Sequence, residues 1–368
     1  MSLAALPARL ACRFPSLLAV ALKRRRAAAS VPRVHYGYWQ PGPGGPSRKI
    51  ERLAERFPHT PRGFNLLYTV NGNYCPVGLA TAASRAGIPL VFNANGLHYK
   101  AWFGDGWEGQ NARLRRIYQR AAYVLYQSEF SRACARRFLG ADPCPGEVLY
   151  NAVDVQRFQP RKARSWDPRR PVFLTTGVFV RFERLEPAVR AVAALVRGGC
   201  DARLLIAGEL RFEGGAARLA ALLEEEGVAE RVELLPPYSL AEAPSIYQRA
   251  DLFLHMKYND PCPSVVIEAM ACGLPVVCAG TGGTPELIGE EEAGVAVPSV
   301  MDWDVAYALK PADVLAGIER LLRDYEGFSH RARQRALTRY AGEPWYARHG
   351  EVFQALLEGG NAAVRGSA

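Results

Sequence analysis

From residue 31 the chain alternates short apolar runs with segments of helical periodicity. VPRVHYGYW (31–39) reads as a strand, GPGG (42–45) as a turn, and PSRKIERLAERF (46–57) as a helix with Ile50, Leu53, Ala54 and Phe57 on one face. Strands are expected at NLLYTV (65–70), PLVFNA (89–94), AYVLYQ (122–127) and EVLYN (147–151), with helices from Pro76 to Ala86, around 111–121 and at 129–138. A stretch of Pro, Arg, Lys and Ser (160–171) has the composition of a linker. The alternation then restarts. PVFLTTG (171–177), RLLIAG (203–208), VELLPP (232–237), DLFLH (251–255) and PVVCAG (275–280) read as strands. Helices are expected from near Pro187, at 215–227, near 241–249 and at 264–272, and then at 313–323, 329–339 and 344–357.

Strands this apolar, alternating with helices, indicate parallel sheets covered on both faces. Two such series joined by a linker predict an α/β chain of two doubly wound, Rossmann-like domains facing a central cleft. In that class ligands sit outside the carboxyl ends of the strands. The expected division is an extension over 1–30, a first domain over 31–165, a second over 166–335, and a helical segment over 336–368 that crosses back to the first domain. A length of 368 residues agrees, being too long for one compact core.

Charge sharpens this picture. Residues 1–165 hold 25 Lys and Arg against 8 Asp and Glu, a net of +17, while the remaining 203 hold 21 against 28, a net of −7. Such asymmetry points to an acidic partner for the first half, either nucleic acid or an anionic membrane surface. The run FPSLLAVAL (14–22) falls short of the ~20 apolar residues that span a bilayer. Lys23-Arg24-Arg25-Arg26 follows it, the wrong order for a secretory signal, so a cytoplasmic chain is expected. The eight cysteines (12, 75, 134, 144, 200, 262, 272, 278) form no CxxC pair and are expected as reduced thiols.

The segment NDPCPSVVIEAMACGLPVV (259–277) carries the candidate chemistry. Ser264 is placed to cap a helix, and Gly273 with Leu274-Pro275 to stop it. The helix between is apolar on all sides except Glu268, and so should be buried. Its N-terminus presents free N–H groups and a positive dipole end, an anion site suited to phosphate. Asp260 stands on the turn before it, held by Pro261 and Pro263. Two carboxylates there suit a phosphorylated sugar, N–H groups holding phosphate and the acids accepting hydrogen bonds from hydroxyls. A plain structural strand–helix junction fits the spacing equally well.

These residues resemble the signature of the family-4 retaining glycosyltransferases of the GT-B fold (glycosyl transferases group 1). Asp260-x7-Glu268 runs into EAMACGLPVV (268–277) and then GGTPELI (282–288). VLYNAVDVQRFQP (148–160), TTGVFVRFERLEPAVRAVAAL (175–195), LLIAGE (204–209), YQRADLFLH (247–255) and GPGG (42–45) match further landmarks in order. The resemblance spans roughly residues 31–355. It implies retaining transfer of a sugar from a nucleoside diphosphate donor to a saccharide or lipid-linked acceptor, in cell-surface polysaccharide or glycolipid synthesis, with no metal or other cofactor required. It also implies that the first domain binds acceptor and the second the nucleotide sugar.

Carried over, Glu268 binds the donor ribose, Asp260 contacts the donor sugar, and the N–H groups near Ser264 and Val265 hold phosphate. The departing diphosphate needs fixed positive groups. Arg181 and Arg184 are the candidates, because Val178 stands where the family's arginine follows Gly177. Gly282 and Gly283 leave room for donor, and Glu286 either binds it or caps a helix. On the acceptor side stand Gly44, Gly45, Asn95, Gly96 and His98. Three departures are evident. Asp260 is one methylene shorter than the family's glutamate, Asn95-Gly96 replaces His-Gly, and about 30 residues precede the first strand.

GPGGPS (42–47) and GTGGTP (280–285) lack the helix and acid of a dinucleotide fingerprint, which argues against a dehydrogenase. Arg113, Arg116 and Arg120, with Lys23–Arg26, Arg132, Arg136 and Arg137, suggest a basic surface beside anionic lipid. No nucleic-acid motif accompanies the charge. The expected location is therefore the cytoplasm, peripherally at the inner face of the plasma membrane. The alternatives are a nucleotide-sugar epimerase on the same scaffold and a catalytically inactive sugar- or nucleotide-binding relative.

Overall fold

The computed structural model describes residues 31–42, 44–162, 166–289 and 291–359. The chain forms two compact units, one running to Tyr150 and resuming at Glu343, the other from Asn151 to Gly342. The division therefore falls before the 160–171 segment that composition marks as a linker. Its cause is local packing. Asn151 Nδ2 donates to the Cys262 carbonyl at 2.7 Å, Arg161 pairs with buried Asp251, and Arg333 donates to the carbonyls of Val155 and Phe158 at 3.1 and 2.8 Å. Residues 151–161 thus belong to the second unit.

In the first unit β1 (Val34–His35), β2 (Leu66–Val70), β3 (Leu90–Ala94), β4 (Tyr123–Tyr126) and β5 (Gly146–Val148) form a parallel sheet in chain order. Between them run α1 (Gly45–Arg56), α2 (Val77–Arg85), α3 (Lys100–Phe103), α4 (Trp107–Tyr118) and α5 (Glu129–Phe138). The strand expected over 31–39 shrinks to two residues, because beyond it the chain turns and Tyr38 N–H goes to the Tyr74 carbonyl at 2.8 Å. β2, β3 and β4 are buried along their whole length, as parallel strands covered on both faces must be. The last helix among the described residues, α13 (Gly342–Leu357), packs here: His349 Nε2 accepts from Tyr68 Oη at 3.2 Å, and Arg348 Nε donates to Glu147 at 2.8 Å.

The second unit contains β6 (Val172–Phe179), α6 (Glu186–Arg197), β7 (Arg203–Leu210), α7 (Gly215–Glu225), β8 (Val232–Leu235), α8 (Ala243–Tyr247) and β9 (Leu252–His255). It continues with α9 (Ser264–Ala271), β10 (Val276–Ala279), α10 (Thr284–Ile288), β11 (Gly294–Val297), α11 (Pro311–Arg323) and α12 (Tyr325–Arg339). Its six parallel strands are ordered β11-β10-β9-β6-β7-β8. The chain builds outward from β6 through β7 to β8, then returns to the other side with β9. This reversal between β6 and β9 is the topological switch point, where the carboxyl ends of two adjacent strands diverge and leave a crevice. The core below it is mostly aliphatic, with Leu204, Ile206, Leu252, Leu254, Val277 and Val189 buried beside Phe173 and Phe179.

Candidate functional site

The predicted carboxylates lie at that switch point. β9 ends at His255, and an eight-residue turn leads into α9. α9 is buried from Val266 to Ala271, as its apolar surround requires. Ser264, expected to cap it, is instead its first helical residue. Pro263 occupies the cap position in extended conformation and no side chain caps the helix, because the proline ring fixes the backbone that a serine cap would otherwise define. The far end behaves as the glycine predicts: Leu274 N–H bonds to Ala269 O at 3.0 Å and Gly273 N–H to Met270 O at 2.9 Å, a Schellman closure. From α12, Ser329 Oγ donates to Gly273 O at 2.6 Å and Arg333 to Ala271 O at 2.5 Å, holding the helix rigidly from behind.

Asp260 and Glu268 are both buried, at 7% and 8% exposure, so neither is a solvated surface acid. Oδ2 of Asp260 accepts from His255 Nε2–H at 3.2 Å and lies 2.9 Å from Lys257 Nζ. Burial pushes the Asp260 carboxyl up, but Lys257 and His255 outweigh it and hold the group well below the ordinary carboxylate range. Burial likewise lowers His255, partly offset by Asp260, leaving a neutral imidazole. Glu268 Oε2 accepts from Tyr247 Oη at 2.9 Å.

Of the two candidate arginines, Arg184 belongs to this site and acts electrostatically on Asp260. Burial lowers its pKa, and the Asp260 charge partly restores it. Its Nη1 donates to Val178 O at 2.6 Å, and its guanidinium lies over the Phe179 ring at 5.2 Å. Arg181 is half-buried one turn earlier, at the start of the 3-10 turn Phe182–Arg184. Gly177 and Gly208 face each other in register on β6 and β7, with φ of 137° and 126°. A Cβ on Gly208 would meet Gly177 O at 2.1 Å, so only glycine permits this approach. Gly282 sits against the Asp260 turn in the same way, a Cβ there meeting Asp260 N at 2.7 Å, and Gly283 N–H donates to Asp260 O at 2.8 Å. Glu286 lies in the first turn of α10, where its carbonyl accepts from Arg335 at 3.0 Å. Around the turn, Asn259 Oδ1, Thr281 Oγ1 and Thr284 Oγ1 are buried without a partner among the described residues. A polyhydroxylated ligand satisfies such atoms.

The first unit holds the other named residues. Gly44 precedes α1, and its carbonyl accepts from Arg48 N–H at 3.0 Å, with Gly45 as the first helical residue. Asn95 and Gly96 follow β3, with both carbonyls bonded by Asn71 Nδ2 and the Asn95 N–H bonded to Asn71 Oδ1 at 2.8 Å. His98 is half-buried, clamped at its backbone by Asn111 and edge-on to Phe103 at 4.6 Å. Burial lowers its pKa. Lys49, Asn93 and Gln127 add a buried polar group: Lys49 Nζ and Gln127 Nε2 both donate to Asn93 Oδ1, at 3.1 and 2.8 Å. Of the basic surface, Arg132 pairs with Glu129 and Arg136 with Asp142, at 3.0 and 2.7 Å. The Lys23–Arg26 cluster lies outside the described residues.

Sequence reasoning missed His255, Lys257, Tyr247, Asn71 and Lys49. The first two were legible only as polar residues ending an apolar strand.

A family model described as glycosyl transferases group 1 matches residues 156–336, and one described as glycosyltransferase family 4 matches 10–157. The chain belongs to the glycosyl transferases group 1 family of the GT-B fold. Among curated relatives, D-inositol 3-phosphate glycosyltransferase of Mycobacterium sp. (strain KMS) is 36% identical over 239 residues, covering 60% of this chain and 53% of that protein. The protein of the same name from Rhodococcus opacus (strain B4) is 29% identical over 300 residues, covering 75% and 67%. The chain thus spans about half the length of the first of these relatives. In fold it is similar to HepE of Anabaena, solved with UDP and glucose, at TM-score 0.71 and 15% identity, covering 88% of this chain and 100% of that one. Sucrose-phosphate synthase of Thermosynechococcus elongatus gives TM-score 0.66 at 19% identity, covering 84% and 77%.

Proposed function

We propose that this chain is a retaining glycosyltransferase that moves a sugar from a nucleoside diphosphate donor to a saccharide or lipid-linked acceptor, in cell-surface polysaccharide or glycolipid synthesis. The observation that carries the reading is the pair of buried carboxylates, Asp260 and Glu268, bracketing the N-terminus of α9 at the switch point. Support comes from the relatives, which are named as glycosyltransferases, and from HepE, whose structures hold UDP and UDP-glucose.

In the proposed reaction the bond between the anomeric carbon and the diphosphate oxygen breaks, and its electron pair stays on the diphosphate. The acceptor hydroxyl oxygen bonds to the anomeric carbon on the same face, and its proton passes to the departing diphosphate. Arg184, with Arg181 at the start of the preceding turn, stabilises the charge that develops there. Glu268 holds the ribose and Asp260 the sugar. The N–H groups of Ser264 and Val265 hold phosphate, and Gly177, Gly282, Gly283 and Glu286 line the donor. Gly44, Gly45, Asn95, Gly96 and His98 serve the acceptor. The remaining basic residues of the first unit hold the protein to anionic lipid.

A thermal-shift screen of nucleotide sugars tests the reading, since a donor at 100 times its Kd adds about 2.7 kcal/mol of stability. The stabilising donor should then transfer its sugar with retention, read by NMR of the product, and turnover should survive EDTA. Donor isomerised without acceptor, or bound without any turnover across an acceptor panel, would contradict it. Flotation with anionic vesicles should fall with salt; indifference to lipid charge would remove the membrane role.

A further inference from the structure

Lys257 stands in the turn between β9 and α9, beside Asp260. Its ammonium lies 2.9 Å from Asp260 Oδ2, its side chain keeping 21% exposure. His255 Nε2 meets the same oxygen at 3.2 Å, so Oδ1 is the oxygen left to a ligand. Arg184 acts on both Asp260 and His255. Two cations, one carboxylate and a neutral imidazole therefore share this end of β6 and β9. Among the groups that act on Asp260 the balance is one positive charge, beside the positive end of the α9 dipole, with the Glu268 carboxylate one turn further along the helix.

Net charge in a partly dry site is unfavourable until an opposite charge joins it. The Asp260 carboxylate cancels one of the two cations, so the partner that completes the balance is an anion, and a phosphate group supplies that charge on oxygens that Lys257 and the free N–H groups of α9 can both reach. Val178, at the end of β6, supplies no cation, and Lys257 delivers one from the end of the adjacent strand instead. Its four-carbon stem lets the head group swing without moving the backbone.

We propose that Lys257 is a diphosphate-binding residue. Its ammonium passes from Asp260 to the β-phosphate of the nucleoside diphosphate, and the freed carboxylate accepts hydrogen bonds from the donor's sugar hydroxyls. This rests on the donor-site reading of the second unit. The ammonium exchanges one anionic oxygen for another, and Arg184 remains the cation that acts on Asp260 after the handover. Asp260 keeps its bond from His255 throughout.

Calorimetric titration of UDP, GDP and ADP into the wild-type chain selects the base, and the matching nucleoside serves as control. K257M should weaken the selected diphosphate about tenfold or more and the nucleoside less than about twofold, while K257R stays within about threefold of wild type. Repeating K257M in a D260N background separates contact from screening. A lysine that touches phosphate keeps its effect there, and one that only neutralises Asp260 loses it. Diphosphate binding by K257M equal to wild type, or loss of its effect in D260N, overturns the inference alone. Wild-type protein that binds none of the three diphosphates overturns the donor-site reading and this inference with it.

Discussion

Tyr247 donates its phenolic hydrogen to Oε2 of Glu268 at 2.9 Å, and both side chains are buried. The bond ties α8 to α9 and fixes the carboxylate that the donor reading assigns to ribose. Y247F removes the donor and leaves a buried carboxylate with fewer partners. We expect a loss of about 1–3 kcal/mol in chemical denaturation, together with weaker nucleoside diphosphate binding. E268Q still accepts from Tyr247, so it should unfold close to wild type yet lose transfer. Undiminished turnover in E268Q would remove Glu268 from the site.

The Gly177–Gly208 pair makes a steric prediction. G208A drives a methyl group into the Gly177 carbonyl and holds alanine at φ 126°, so it should destabilise by about 3 kcal/mol or more in equilibrium unfolding. A Cβ on Gly177 meets only Arg184 Nη2, at 3.5 Å, so G177A should cost less, chiefly through its φ of 137°. Equal effects would mean that backbone contact does not govern this approach.

Asn151 holds the turn before α9. Its side chain donates to the Cys262 carbonyl at 2.7 Å and its N–H to Cys262 Sγ at 3.4 Å, inside the Pro261-Cys262-Pro263 turn. N151A should lower stability by about 1–3 kcal/mol and weaken donor binding, because the turn that fixes Asp260 loses its anchor. A variant with wild-type affinity would show that the prolines suffice.

Much of this was legible in the sequence, for identifiable reasons. α9 was readable because one glutamate interrupts an otherwise apolar run that ends in Gly273-Leu274-Pro275. The Ser264 cap was misread because Pro263 takes the cap position. β11 and α3 went unread, since four residues carry too little periodicity to separate helix from strand. His255 and Lys257 converge on Asp260 only because the turn after β9 folds back, which spacing along the chain does not reveal. The linker was misplaced because composition at 160–171 is exposed-looking, while Asn151 and Arg161 bind the preceding residues to the second unit.

Buried histidines of the first unit set an acid limit. Burial, then the neighbouring His59, lowers His35 to about 4, and burial lowers His349 to about 3. Both folded values lie below the unfolded value near 6.5, so the unfolded chain takes up protons first as pH falls. Stability should drop from about pH 6.5 down to those values, by up to about 1.4 kcal/mol per pH unit for each imidazole. Denaturant midpoints at pH 7.5 and 5 should show the loss, and H349Q should flatten it. A pH-independent midpoint would mean that these rings are not buried neutral.

The central claim is that the turn and helix from His255 to Glu268 hold the donor. A crystal structure of the chain with the nucleotide sugar that stabilises it most tests this directly. The account predicts diphosphate density at the N-terminus of α9, within hydrogen-bond reach of Lys257 or Arg184, with ribose on Glu268. Ligand bound elsewhere, with Asp260 and Glu268 keeping only their protein partners, would contradict it.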